Sequence, residues 1–168
     1  MALRVIALSC VVFLVSLIGF AAAMATTEAP CQYSVSVQTG DYAGAGTDST
    51  ISLQLKSQSG ASFPIANLVD WGLMQPGHVY FQRGNLDFFG GTGNCLHVCA
   101  MTVTSSGTGS MPRWYLTEVN VTVSGPVKVD ISFPVKRWLA KDVPPGSLSA
   151  TVDSCYRFYP LKPALLSV

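Results

Sequence analysis

The stretch that decides the fold is CQYSVSVQTGDYAGAGTDSTISLQLK, residues 31–56. Before its glycine-rich centre, Tyr33, Val35 and Val37 alternate with Gln32, Ser34, Ser36 and Gln38. After it, Ile51, Leu53 and Leu55 alternate with Ser52, Gln54 and Lys56. Successive side chains of a strand point to opposite faces, so each run predicts a strand with one dry face and one wet face. The centre, with glycines at 40, 44 and 46, predicts a loop at one end of a sheet. It carries Asp41 and Asp48. Such a loop can bind a cation or meet a surface, and it is a poor place for a covalent catalyst.

The same period continues outward. Cys99, Met101 and Val103 alternate with Ala100, Thr102 and Thr104. Tyr115, Thr117, Val119, Val121 and Val123 form one face of a longer run. Val127, Val129, Ile131 and Phe133 form another, and Leu148, Ala150 and Val152 a last one. Clusters of Gly, Ser and Pro at 90–93, 105–110, 125–126 and 144–146 supply turn chemistry between them. No stretch keeps a helical period; 64–70 and 135–141 each leave room for one short turn. Several short strands divided by turns predict an all-β sandwich.

Residues 1–25 stand apart. Arg4 precedes an apolar run over 5–20, and Ala23-Met24-Ala25 follows with small residues two apart, the pattern of a cleaved secretory signal peptide. The expected organisation is a leader over 1–25, a single domain over 26–155 and a short tail over 156–168. Without Arg4, nine basic residues face nine acidic ones. No block of like charge remains, which argues against nucleic acid as a partner.

Of five cysteines, Cys10 leaves with the leader, and Cys31, Cys95, Cys99 and Cys155 enter an oxidising compartment. Four cysteines permit three pairings. The favoured expectation is Cys31–Cys155, tying the first strand to the chain end, with Cys95–Cys99 inside one loop; a zinc site from the same four thiols is the alternative. Asn120-Val121-Thr122 is an N-glycosylation sequon, with Asn120 on the polar face of its strand.

Catalytic patterns are sparse. His78 and His97 are the only histidines and show no ligand spacing. No Gly-x-Ser-x-Gly elbow occurs, and the glycines at 90, 91 and 93 are not followed by Gly-Lys-Ser/Thr. The reading is a protein that is not an enzyme and takes no small-molecule substrate.

Four segments carry a resemblance: Ala45-Gly46-Thr47-Asp48, Tyr80-Phe81-Gln82-Arg83-Gly84-Asn85-Leu86-Asp87, Pro112-Arg113-Trp114-Tyr115-Leu116-Thr117-Glu118-Val119, and Phe133-Pro134-Val135-Lys136-Arg137-Trp138-Leu139-Ala140. In this order they resemble the PLAT/LH2 domain of lipoxygenases and several lipases. With a cysteine before the first strand they look like the small secreted plant members. The resemblance covers about 31–155. It implies an eight-stranded antiparallel sandwich without an active site, docking onto membrane lipid or a protein partner. It also implies a role in plant stress responses and a location outside the cell or in the endoplasmic reticulum and secretory route. The alternatives are a protein–protein regulatory module that never touches lipid, or a calcium-dependent membrane binder.

Calcium-binding members set a loop similar to Gly46-Thr47-Asp48 against a second loop of the form Asn-Asp-Phe-Glu-Arg-Gly. Here that second loop reads Val79-Tyr80-Phe81-Gln82-Arg83-Gly84, without a carboxylate. Calcium takes six to eight oxygens, and charge sets its affinity. Gly46 and Asp48 are therefore weak calcium candidates, and a turn role for Asp48 is favoured. No cofactor is otherwise expected. Arg83 and Asp87 are expected to form a structural ion pair closing their loop. Trp71, Trp114 and Tyr42 are the candidates for membrane or partner contact. Trp114 follows a Gly/Ser-rich loop and is expected on the polar face of its strand, where an indole suits an interface.

Overall fold

The computed structural model describes residues 29–155; the expected leader and tail lie outside them. Eight strands follow in order: β1 (Cys31–Thr39), β2 (Ile51–Ser57), β3 (Ser62–Ile65), β4 (Leu86–Gly93), β5 (Val98–Ser105), β6 (Trp114–Ser124), β7 (Val129–Leu139) and β8 (Ser149–Asp153). They form two four-stranded antiparallel sheets, ordered β4-β1-β6-β7 and β3-β2-β5-β8. One 3₁₀ turn, Leu68–Trp71, lies between β3 and β4. The all-β sandwich expected from the alternation, with the eight antiparallel strands that the resemblance implies, is the fold observed.

The dry faces meet as predicted for the deciding stretch. Val35 and Val37 of the first sheet and Ile51, Leu53 and Leu55 of the second are buried in one core with Phe89, Met101, Val103, Val121 and Phe133. Each such side chain contributes about 1.5–3 kcal/mol by leaving water. Pro64 and Pro134 fall on β3 and β7, which are edge strands and so tolerate a residue without an N–H.

Two β-bulges change the phase that simple alternation predicts. In β6 the register on β1 steps from Thr39↔Leu116 to Gln38↔Glu118, leaving Thr117 as the extra residue. Trp114 and Leu116 therefore point inward along with Val119, Val121 and Val123, whereas uninterrupted alternation put Tyr115 and Thr117 on the inner face. In β5 the register on β2 steps from Lys56↔Ala100 to Ser57↔Val98, which leaves Cys99 as the extra residue. Val98 and Met101 enter the main core, and Cys99 packs instead with Ala100 and Cys155. An inserted residue reverses every later side chain because the strand period is two. A third irregularity lets β7 run on through 135–139, where a short turn was expected.

The disulfides correct the sequence-based expectation. Cys31 bonds Cys95 and Cys99 bonds Cys155, with Cα separations of 4.9 and 4.6 Å. The pairing follows the sheets. Cys31 opposes Gly93 where β1 lies on β4, so Cys95 comes back beside it. Ala100 opposes Asp153, so Cys155 reaches Cys99. Cys95 and Cys99 cannot pair with each other in this fold, because the chain crosses from one sheet to the other between them. All four thiols are consumed, which leaves no zinc site among them.

Candidate functional site

Antiparallel order puts the connections 40–50, 66–85, 106–113 and 140–148 at one end of the sandwich. Connections 58–61, 94–97 and 125–128 lie at the other end with both disulfides. The first end collects the glycine-rich loop, the 79–84 segment and the Gly/Ser-rich loop.

These loops are bound into one platform, and Asp48 is its main tie. Its Oδ2 accepts from the Ser110 amide at 2.8 Å and from Ser110 Oγ at 2.6 Å, and its Oδ1 accepts from the Met111 amide at 2.8 Å. These donors hold the Asp48 carboxyl below the usual carboxylate range, with the Ser110 hydroxyl the largest cause. Asp48 is thus a turn residue of a different kind from the one expected: it binds the neighbouring loop, and its own amide is the smallest of the causes. A Cβ on Gly109, which sits at φ +97°, would collide with that carboxylate. Thr47 adds a bond from Oγ1 to the Met111 carbonyl at 2.7 Å, and its amide donates to the Phe81 carbonyl at 3.0 Å. Gly46 packs so closely on the 81–83 backbone that a Cβ would lie 3.0 Å from the Arg83 nitrogen. Its glycine identity is explained by this approach.

The arrangement does not fit calcium. Asp48 has both oxygens committed to three donors, and the segment facing Gly46 offers Gln82 and the cationic Arg83. Among the described residues no group of three His, Cys, Asp or Glu side chains converges.

The expected Arg83–Asp87 pair is not formed. Arg83 Nε donates instead to Asp41 Oδ1 at 2.6 Å, with both side chains exposed. Asp87 is fully buried, because alternation along β4 turns it inward between the exposed Leu86 and Phe88. There it accepts the Phe81 amide at 2.7 Å and contacts His78 Nε2 at 2.6 Å. The bond from Phe81 matters because Phe81 sits at φ +57°, a backbone state costly for an aromatic residue. Sequence reading missed this pair. Its signal was an acid on the apolar phase of a strand, which must find partners when buried.

Trp114 is likewise corrected. It is wholly buried, donates Nε1–H to Thr39 Oγ1 at 3.0 Å, and meets Phe81 edge-on at 5.3 Å between ring centres. The Thr117 bulge put it inside, so it cannot touch a membrane or partner. Trp71 is half-buried and lies away from the loop end, against Phe63 and Tyr33 where β3 and β4 leave the sandwich open. Tyr42 is 54% exposed on the glycine loop. Its ring packs on Tyr115, which in turn packs on Trp138, at 4.6 and 5.4 Å. Burial, with Tyr42 beside it, pushes the Tyr115 hydroxyl up. Sequence reading also missed Met111, which is 44% exposed. Asn120 stands on the outer face of the first sheet, half-buried, its side-chain amide donating to Ser36 Oγ at 3.4 Å.

Beneath the platform rim lies a hollow of about 400 Å³ lined by Gly46, Gln82, Arg83, Met111 and Arg113, among others. Arg113 Nε donates to both oxygens of Asp142, at 2.9 and 3.1 Å. That bond holds the Asp142 carboxyl below its ordinary range.

Known proteins share this architecture. The PLAT/LH2 domain profile matches residues 33–147. PLAT domain-containing protein 2 of Arabidopsis thaliana is 44% identical over 140 residues, which cover 80% of this chain and 76% of that protein. PLAT domain-containing protein 3 of the same plant is 46% identical over 104 residues, 58% of this chain and all of that protein. Coral 8R-lipoxygenase, whose structure is described in terms of calcium activation through a C2-like domain, superposes with a TM-score of 0.55 at 23% identity. The match covers 73% of this chain but only 16% of that one, and it speaks to the fold alone. With the fold, the motif order and these relatives in agreement, the chain belongs to the PLAT/LH2 domain family.

Proposed function

We propose that this protein is a non-catalytic docking module of the secretory pathway, acting in a stress response, whose loop end rests on a membrane lipid surface. The observation that carries the reading is the platform itself. Three loops joined by Asp48 and Thr47 hold exposed Tyr42 and Met111 at the tip of a rigid sandwich. Exposed apolar side chains on a fixed support suit partial insertion at a lipid interface, where an aromatic with a polar tip is at home. The leader pattern and two disulfides support an oxidising route. The stress role rests on the resemblance to the small secreted plant members and is tested by comparing knockout and wild-type seedlings under salt and cold.

Vesicle flotation tests the docking reading. The wild-type protein should float with vesicles, and Tyr42→Ala combined with Met111→Ala should stay at the bottom of the gradient. A wild type that never floats on any lipid removes the membrane version.

One observation favours a second reading, a protein partner in place of lipid. Leu86 and Phe88 lie in line on the outer face of edge strand β4, at 43% and 42% exposure, and Leu73 lies over Gly90 beside them. This flat row is away from the loop tip. A Phe88→Glu variant that still floats but loses a partner captured by wild type would favour it.

A further inference from the structure

We propose that Arg83 and Arg113 together form a phosphate site for an anionic phospholipid headgroup, so that docking at the loop end needs no calcium. The inference rests on the docking reading above and names its ligand chemistry.

The two arginines come from different loops and line the same hollow. Each is gripped at one edge. Asp41 takes Arg83 through Nε, and Asp142 takes Arg113 through Nε and Nη2. Neither carboxylate lines the hollow. Among the described residues, neither Nη of Arg83 nor Nη1 of Arg113 donates to a protein acceptor. A guanidinium fixed along one edge keeps its other N–H groups aimed, and such a planar fork suits phosphate oxygens. Both side chains remain 55% exposed, so a headgroup can reach them.

Asp48, the other acid of the glycine-rich loop, is engaged with Ser110 and Met111. A divalent cation entering the hollow would therefore meet no uncommitted carboxylate, whereas an anion would meet the N–H groups of Arg83 and Arg113 that Asp41 and Asp142 leave without an acceptor. A lipid phosphate fits better than a free one because Met111 forms part of the wall and exposed Tyr42 stands on the loop that supplies Gly44 and Gly46. Cationic groups beside exposed apolar side chains match an interface in which phosphate sits above hydrocarbon.

The test is flotation of the purified full chain, expressed through a eukaryotic secretory route so that both disulfides form. It uses vesicles of phosphatidylcholine alone and of phosphatidylcholine mixed with phosphatidic acid, each with EDTA and with calcium. Wild type should bind the mixed vesicles in EDTA and release them as salt rises. Arg83→Gln or Arg113→Gln should each lower partitioning about fivefold, and the double variant about 25-fold, at about 1 kcal/mol per cationic side chain near an anionic surface. Melting temperatures of all variants should match wild type.

Three outcomes overturn the proposal. Equal binding to both vesicle types, unchanged in the double variant, leaves docking intact but removes the arginine site. Binding that appears only with calcium does the same. A variant with both arginines changed to lysine that binds like wild type reduces the effect to bulk charge and removes the fork geometry. Absence of binding to every vesicle is the separate failure of the docking reading itself. A fourth overturns the preference for lipid: inorganic phosphate that displaces the protein from mixed vesicles as well as a soluble short-chain phosphatidic acid does.

Discussion

The two ends of this sandwich are fixed by different means. At one, Cys31–Cys95 and Cys99–Cys155 each bond within their own sheet and hold the strand ends covalently. At the other, no cystine is present among the described residues. Loop order there comes from Asp48 accepting three hydrogen bonds, from Thr47, and from the buried Asp87 with His78 and the Phe81 amide. The difference teaches that a surface which must present side chains can be made rigid from within. Asp48 and Asp87 accept backbone amides of neighbouring segments, and Tyr42 and Met111 stay exposed beside two arginines held by Asp41 and Asp142.

Removing a cystine should have the largest effect. The pairs close loops with sequence separations of 64 and 56. Replacing Cys99 and Cys155 by alanine should cost about 4 kcal/mol on the chain-entropy scale, read by urea unfolding. The Ser110 and Met111 amides should stay protected from hydrogen exchange in native buffer. Their loss would mean that the two ends are not independently held.

Asp87→Ala comes next. It leaves the Phe81 amide and His78 without their buried acceptor, and should lower unfolding free energy by about 3 kcal/mol. The damage should concentrate in 78–84 when followed by NMR. A near-neutral result would show that Phe81 keeps its left-handed backbone without this bond.

Acid should act more gently, and at the loop end first. The folded Asp48 carboxyl lies below its ordinary value of 3.8, so what it contributes is complete above that value and is lost as pH falls through the lower folded one. Exchange protection of the Ser110 and Met111 amides should therefore hold at mildly acidic pH and fail only in strong acid. Asp48→Asn should abolish that pH dependence. The smallest effect on stability belongs to Tyr42→Ala and Met111→Ala, each expected to change it by less than about 0.5 kcal/mol, while the two combined remove vesicle binding. A large stability loss from either would make the exposed tip part of the fold and not of the interface.

Much of the fold was legible. Tyr33, Val35, Val37, Ile51, Leu53 and Leu55 turn inward as their alternation predicts. The positions that misled share a cause. Trp114 and Cys99 were assigned faces by counting in twos, and the extra residues in β6 and β5 reverse that count locally. Arg83 and Asp87 are close in sequence, yet one faces water and Asp41 while the other is drawn into the core. Of the candidate site, the glycine-rich loop with Tyr42, Gly46 and Asp48 was legible. Its contacts were not, because Asp48 reaches Ser110 across 62 positions of chain.

By itself the sequence determined the sandwich, the loop that carries Gly46 and Asp48, and the family, because strand period and turn chemistry are local and written residue by residue. Only the tertiary structure decided which cysteines bond, that Trp114 is core, and which partners Arg83, Asp48 and Asp87 take. Those choices depend on sheet order and on single-residue bulges, and both emerge only when distant strands are paired.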